Sequence, residues 1–282
     1  MHLKNLHRSN YNFIELTNTN PALAKYVFVN DYNQESIDFS DPHAVIELNR
    51  ALLKHFYNVQ DWTIPEGYLC PPIPGRVDYL LHIQDLIFTD TTKTIKGLDI
   101  GVGANCIYPI LATQQLGWDM VGSDIDETAV KFAKQNSLQF KEKIEIRHQT
   151  SNADIFKGVL HSNEFFDFTT CNPPFHASEK EATLGTLKKL NNLQKNPAFK
   201  LNFGGQANEL WCNGGEALFI KRMIKQSILF KKQVGWFTCL VSKSRHLSKI
   251  YKQLEKLNVT YKTVDMTQGN KKSRFIAWKF TD

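Results

Sequence analysis

Four consecutive residues, Asn172-Pro173-Pro174-Phe175, close a run of strand-forming residues that begins Phe165-Phe166-Asp167-Phe168. A sheet interior has no use for two prolines, which carry no N–H for the ladder. They push Asn172 toward the extended region and leave a loop with few accessible conformations, in which acceptors stay in place. The Asn172 side-chain oxygen and the Pro173 carbonyl can accept the two N–H bonds of a planar amino group, and Phe175 offers a flat face for stacking. Such an amino group is conjugated to a ring or a carbonyl and is a poor nucleophile. Two fixed acceptors aim its lone pair and stabilise the charge that develops on nitrogen. The chemistry implied is methylation of an exocyclic or amide nitrogen by direct in-line transfer, with no metal. Placement of the reactants supplies most of the barrier reduction, an effect worth up to roughly 7 to 11 kcal/mol. A plain strand-terminating turn is the alternative.

Asp99-Ile100-Gly101-Val102-Gly103 sets two glycines after an apolar run and before a helical one, where a tight turn lets a ligand approach the main chain. The third glycine of a dinucleotide fingerprint is missing, since Ala104, Asn105 and Cys106 follow. A cofactor without phosphates therefore suits the loop better than a pyrophosphate. One supersecondary unit on, Gly122-Ser123-Asp124-Ile125-Asp126 brings an acid to a strand end, the place from which a carboxylate accepts ribose hydroxyls. Asp99, Gly101, Gly103 and Asp124 together point to S-adenosyl-L-methionine, leaving as S-adenosyl-L-homocysteine. The glycines could instead serve helix packing alone, and Asp126 could be the N-cap of the next helix.

These residues need a sheet to hold them. From Lys96 onward, strand-like runs at 97–100, 120–123, 144–148, 166–171 and 234–241 alternate with helical patterns, as in a doubly wound, mostly parallel α/β sheet. Right-handed crossovers then put the 166–171 strand beside the 97–100 strand, with Asn172 emerging next to the glycine loop. Two further runs, 258–267 and 275–280, joined by a loop from Gln268 to Arg274, predict an antiparallel hairpin at one sheet edge. Upstream, Asp41-Pro42 starts a helix over 42–57, the proline-rich segment 62–76 reads as a structured loop, and a helix spans 77–88. Residues 1–36, polar and weakly periodic, read as an extended arm or irregular cap.

The 282 residues are 42% hydrophobic and carry a net charge of +6, which suits one large domain with an appendage and leans toward an anionic partner. No apolar run approaches the length of a membrane span, and the first residues lack the apolar core of a signal peptide, so the expected location is the cytoplasm. The five cysteines stand apart, with no metal-ligand spacing, and read as reduced, mostly buried thiols.

The runs "IPEGYLCPPIPGRVDYL", "LDIGVGANCIYPI", "GSDID", "CNPPFHAS", "LNFGGQANELWCNGGE" and "WFTCLVSK" resemble the bacterial 23S ribosomal RNA adenine-N6 methyltransferases, relatives of the eukaryotic methyltransferase-like RNA writers. The resemblance spans nearly the whole chain. It implies a class I, Rossmann-like methyltransferase domain over 76–282, with a substrate-side insertion at 176–213, and an RNA-side cap over 1–75. It implies cofactor contacts from Arg76, Gly101, Asn105 and Asp124, and from Thr150 or Ser151 after the third strand. Asn172 is then the catalytic acceptor and Phe175 the stacking ring. Arg76 suits the cofactor carboxylate as a bidentate partner, against the alternative of a loop pair with Asp78 or Glu66. For the RNA, the candidates are Lys4 and Arg8 in the arm, Lys188 and Lys189 in the insertion, and Trp211, which stacks on a base or simply packs. The arm reads Leu6-His7-Arg8-Ser9-Asn10, without the proline of the usual "HPRN". The expected partner is 23S rRNA or a large-subunit assembly intermediate, bound by a monomer without metal or membrane. Two other readings stay open: a glutamine-N5 methyltransferase acting on protein, whose members usually carry tyrosine after the prolines, and a noncatalytic RNA-binding scaffold.

Overall fold

The computed structural model describes residues 1–87, 93–174, 214–268 and 271–281. The N-terminal cap is more regular than its polarity suggests. Asn12 accepts hydrogen bonds from the Ile14 and Glu15 amides and starts a short helix, α1 (Phe13–Thr19). A 3₁₀ turn and a small hairpin of β1 (Val27–Val29) and β2 (Glu35–Ile37) follow. Asp41 caps α2 (Pro42–Tyr57), as its sequence predicts. The next helix, α3 (Ile73–Ile87), begins four residues before the expected start and takes Pro74 into its first turn. Proline is tolerated there because a first-turn N–H has no intrahelical acceptor to lose.

The main sheet contains β3 (Lys96–Ile100), β4 (Asp119–Asp124), β5 (Ile144–His148), β6 (Phe166–Cys171), β7 (Val234–Leu240), β8 (Thr260–Gln268) and β9 (Lys271–Lys279). Their order is β5-β4-β3-β6-β7-β9-β8, parallel except where β9 meets its two neighbours. The fourth parallel strand in chain order, β6, does pair with β3, through Leu98↔Thr169, Asp99↔Thr170 and Ile100↔Cys171. The edge hairpin also forms, but its strands run on to Gln268↔Lys271, well into the segment expected to be loop. The stretch from Gln268 to Arg274 has no apolar alternation, and so in sequence it reads as a connection.

Helices cover both faces. On one, α2, α3, α4 (Ile107–Leu116) and α5 (Glu127–Ser137) share an apolar cluster that joins Leu16 and Leu52 of the cap to Val77, Ile110, Met120 and Phe168. On the other, α6 (Gly215–Ser227) and α7 (Leu247–Lys256) bury Ile220, Met223, Ile250 and Leu254 against Leu98, Phe237 and Trp278. Neighbouring residues of β4, Met120 and Val121, fall in opposite clusters, the alternation expected of a strand buried on both sides. No helix among the described residues is long and apolar enough to cross a membrane. The four described cysteines are free thiols, buried except for the half-buried Cys70.

Two features fix the central pair β3–β6. A Cβ on Gly97 would lie 2.3 Å from the Phe168 ring and 2.7 Å from the Met120 sulfur. The Phe168 ring and the Met120 side chain, from the strands on either side, fill the space that a side chain at 97 would need. Gly97→Val therefore costs about 1 to 3 kcal/mol of stability, as overpacking a core does, which urea unfolding measures directly. The second feature is polar: the Thr170 hydroxyl donates to the fully buried Asp99 carboxyl at 2.8 Å. Burial raises the Asp99 pKa to about 7, partly opposed by the Thr170 hydrogen bond; the Asp124 charge raises it further and Arg76 counters. The folded state thus holds this proton to higher pH than the unfolded chain, and its favourable contribution, complete below about pH 4, is lost as pH rises toward 7. Asp99→Asn keeps an oxygen acceptor and never ionises. Its stability relative to wild type should rise by a few kcal/mol between pH 4 and 8, at 1.36 kcal/mol per pKa unit. A difference flat with pH, measured by urea titration at each end, would contradict this.

Candidate active site

The loops at the carboxyl ends of β3, β4, β5 and β6 surround a cleft of about 410 Å³, a size that suits a small ligand. The glycine loop forms its floor. Gly101 and Gly103 both take positive φ, +76° and +61°, which glycine adopts without strain. The Gly101 and Val102 amides both donate to the Ser123 carbonyl at 2.9 Å, closing the turn against β4. Asp124 holds the loop from the side, accepting from the Gly103 amide at 2.9 Å and the Asp126 amide at 3.0 Å. Burial pushes the Asp124 pKa up, and those amides oppose the push. Each of its oxygens receives one of these amides, so lone pairs remain for ligand hydroxyls. Asp126 is the N-cap of α5 and also accepts from the Tyr68 hydroxyl, at 3.1 Å.

Arg76, from the first turn of α3, lies over the Tyr108 ring and donates from one Nη to the Tyr108 hydroxyl at 2.8 Å. Of its two expected rival partners, Asp78 is taken, since it accepts from the His2 amide and the Asn5 side chain. The Arg76 Nε is buried and, among the described residues, without a partner. The same holds for the Asn172 Oδ1. A buried donor and a buried acceptor left unpaired on one cleft cost the fold something like 1 to 3 kcal/mol each, which a bound ligand can recover.

Of the residues singled out in the sequence, Arg76, Gly101, Gly103, Asn105, Asp124, Asn172, Pro173 and Pro174 all line this cleft. Asn105 is already engaged: its oxygen accepts the Ile107 amide at the start of α4, and its amide donates to the Leu69 carbonyl. Asp99 sits behind the cleft, bonded to Thr170, rather than on its wall. Thr150 and Ser151 are not on the wall either. The Ser151 amide donates to Gln149 and its hydroxyl to Asp154, which folds a turn and presents Gln149, Asn152, Asp154 and Ile155 in their place. Lys4 is exposed, and Arg8 donates to the Leu3 carbonyl. The arm carrying them is packed rather than extended: Asn5 donates to the Pro74 carbonyl, and His7 is buried against Tyr57 and Tyr11, its pKa lowered to about 4 by burial. Phe175, Lys188, Lys189 and Trp211 lie outside the described residues.

The cleft also has walls from residues not singled out as site candidates in the sequence. Leu69 and Pro71 come from the proline-rich loop, Ile125 from the turn after β4, Ala129 from the start of α5, and Phe219 and Arg222 from α6. Arg222 also donates to the Asn152 and Ala153 carbonyls, tying α6 to the loop after β5. Ile125, flanked by the two aspartates, is the one with a local signal. The whole arrangement offers an unpaired cationic donor, a carboxylate, apolar walls and an unpaired amide oxygen.

The family model described as RNA methyltransferase matches residues 1–282. Among curated proteins, the ribosomal RNA large subunit methyltransferase F of Christiangramia forsetii is 55% identical over 284 residues, covering 99% of this chain and 100% of its own. That of Pectobacterium carotovorum is 47% identical over 290 residues, covering 100% of this chain and 93% of its own. Among solved structures, the hMettl16 catalytic domain in complex with the MAT2A 3′UTR hairpin 6 superposes with a TM-score of 0.84 at 30% identity, covering 100% of this chain and 98% of that one. The N-terminal domain of human METTL16 in complex with SAH gives 0.80 at 27% identity, with coverage of 100% and 99%. With its whole length matched and the sheet, glycine loop and cleft in the expected places, the chain belongs to the RNA methyltransferase family and is a methyltransferase.

Proposed function

We propose that the protein transfers a methyl group from S-adenosyl-L-methionine to N6 of one adenine in 23S ribosomal RNA. The observation that carries the proposal is the unpaired, buried Asn172 Oδ1 at the end of β6, on the same cleft as the glycine loop. The printed names of the relatives, ribosomal RNA large subunit methyltransferase F, supply the substrate class. Arg76 Nε would hold the cofactor carboxylate and Asp124 its ribose hydroxyls, with Ile125, Ala129 and Ile155 against the adenine. Bound there, the cofactor supplies an electrophilic methyl on a sulfonium.

The work of this chain's own residues is placement and charge stabilisation. Asn172 Oδ1 and the Pro173 carbonyl accept the two N–H bonds of the target amine, fix its lone pair toward the methyl and stabilise the positive charge developing on nitrogen. Pro173 and Pro174 keep both acceptors from relaxing. Phe175 stacks on the base. An adenine paired in a helix cannot reach such a cleft, so the target is unpaired or flipped out, at a cost of a few kcal/mol. The reaction would take place in the cytoplasm, where ribosomes are assembled.

Asn172→Ala should lower turnover on the order of 10² to 10³-fold with cofactor affinity nearly unchanged. Near-normal turnover would sink the mechanism. Arg76→Ala should instead weaken cofactor binding about 10- to 100-fold, the worth of a charged hydrogen bond, as read by calorimetry. Transfer of labelled methyl to purified protein and not to purified RNA would favour the glutamine reading, which uses the same two acceptors.

A further inference from the structure

The helices α6 and α7 both run back from the carboxyl edge of the sheet, since each precedes a strand parallel to β6. Between them lies a groove of about 600 Å³, separate from the catalytic cleft. Lys221 and Lys225 line it from α6 and Lys249, Lys252 and Lys256 from α7. The spacings, four on one helix and three then four on the other, set each group on one helix face. All five are exposed, and among the described residues none is in an ion pair and no acidic side chain lines the groove. The one acid of each helix is engaged elsewhere: Glu216 accepts from the Ser242 amide and His246, and Glu255 accepts from the Tyr261 hydroxyl. Leu218 and Ile228, 40% and 38% exposed, also line the groove and flank the two lysines of α6 at either end of their row.

A single lysine stripe on a helix is usually a solvated face. Two stripes from separate helices that converge on one concave surface are different, because the like charges repel one another in the free protein and the repulsion is relieved only by an anion. The spread matters too. α7, with ten residues, is about 15 Å long at 1.5 Å per residue, so the charges are strung along a line rather than gathered around a point. A free phosphate would meet only one or two of them. A phosphodiester chain meets them in succession, and Leu218 and Ile228 offer apolar contact beside the lysines for its sugars.

We propose that the α6–α7 groove is a second binding surface for the RNA substrate, which grips the phosphodiester backbone at a distance from the target base. The proposal rests on the reading of the protein as an RNA methyltransferase acting on large RNA. It adds that substrate affinity depends on RNA beyond the methylated nucleotide. The groove raises affinity without touching the chemistry, so its loss alters KM and leaves kcat in place.

Lysine-acetylation footprinting of the unmodified protein tests this without mutation. Residues 221, 225, 249, 252 and 256 should be protected by 23S rRNA and not by S-adenosyl-L-methionine. The companion variant replaces all five lysines with glutamine. Its KM for 23S rRNA should rise at least 10-fold with kcat at saturating RNA and cofactor affinity unchanged. The slope of log affinity against log salt should become shallower by about 4, at roughly 0.7 to 0.9 for each phosphate that is no longer neutralised. Unprotected lysines, or an unchanged KM and salt slope in a wild-type enzyme that does methylate RNA, would overturn the groove. So would protection by vesicles of phosphatidylserine and not by RNA. Protection by RNA without any methyl transfer to it would leave the groove standing and remove the proposed function instead. Should the fivefold variant not fold, the footprint decides alone, and the Lys249→Gln, Lys252→Gln pair supplies the kinetic reading.

Discussion

The parallel pairing of β3 with β6 governs the rest of the site. Because Ile100 lies opposite both Cys171 of β6 and Ser123 of β4, β3 and β6 end at the same level of the sheet and β4 runs one residue further, to Asp124. Gly101 and Asn172, the next residues of β3 and β6, therefore stand beside Asp124, the last residue of β4, although the three are far apart in the chain. A slip of one residue between β3 and β6 would reverse every side chain and separate the glycine loop from Asn172. The packing of Phe168 over Gly97 and the Thr170 to Asp99 hydrogen bond both act on that register. Stability and function are coupled at this point of the fold.

The polar atoms around that junction show a division of labour. Asp124 and Asn105 spend hydrogen bonds on the protein itself, holding the glycine loop and joining the cap to α4. Arg76 Nε and Asn172 Oδ1 have none among the described residues. The first pair builds the shape of the cleft and the second is left to meet what enters it. Buried polar groups are paired in most of a native fold, so atoms held unpaired at a cleft are where preorganised chemistry is to be sought. The cap contributes as well, since Leu69 and Pro71 form a wall and Trp62 donates to the Asn105 carbonyl. The cap residues thus complete the cleft rather than decorate it.

Much of this is legible in the sequence because it depends on local rules. Glycines that need positive φ, a proline pair that stops a ladder and an acid at a strand end each mark themselves, and right-handed crossovers then fix which strands are neighbours. The parts that escape depend on neighbours distant in sequence. The helix α7 is not expected, although Leu247, Ile250 and Leu254 carry its period, because it is short and its remaining residues are polar. The turn after β5 presents Gln149, Asn152 and Asp154 rather than Thr150 and Ser151, since side-chain hydrogen bonds within the turn decide which way each faces. Leu69, Phe219 and Arg222 reach the cleft only through packing of whole elements. The lysines of α6 and α7 read as ordinary helix surface until the two helices lie side by side.

In the proposed mechanism, Asn172 and the Pro173 carbonyl hold the amino group of an adenine in ribosomal RNA for methylation. Mass-spectrometric mapping of 23S rRNA, from cells lacking the gene and from the same cells supplied with the wild-type or Asn172→Ala protein, tests it most directly. The account predicts that a single N6-methyladenine disappears on deletion, returns with the wild-type protein and stays absent with the variant. Full methylation of every 23S adenine site in the deletion strain, or restoration by the Asn172→Ala protein at normal abundance and rate, would contradict it.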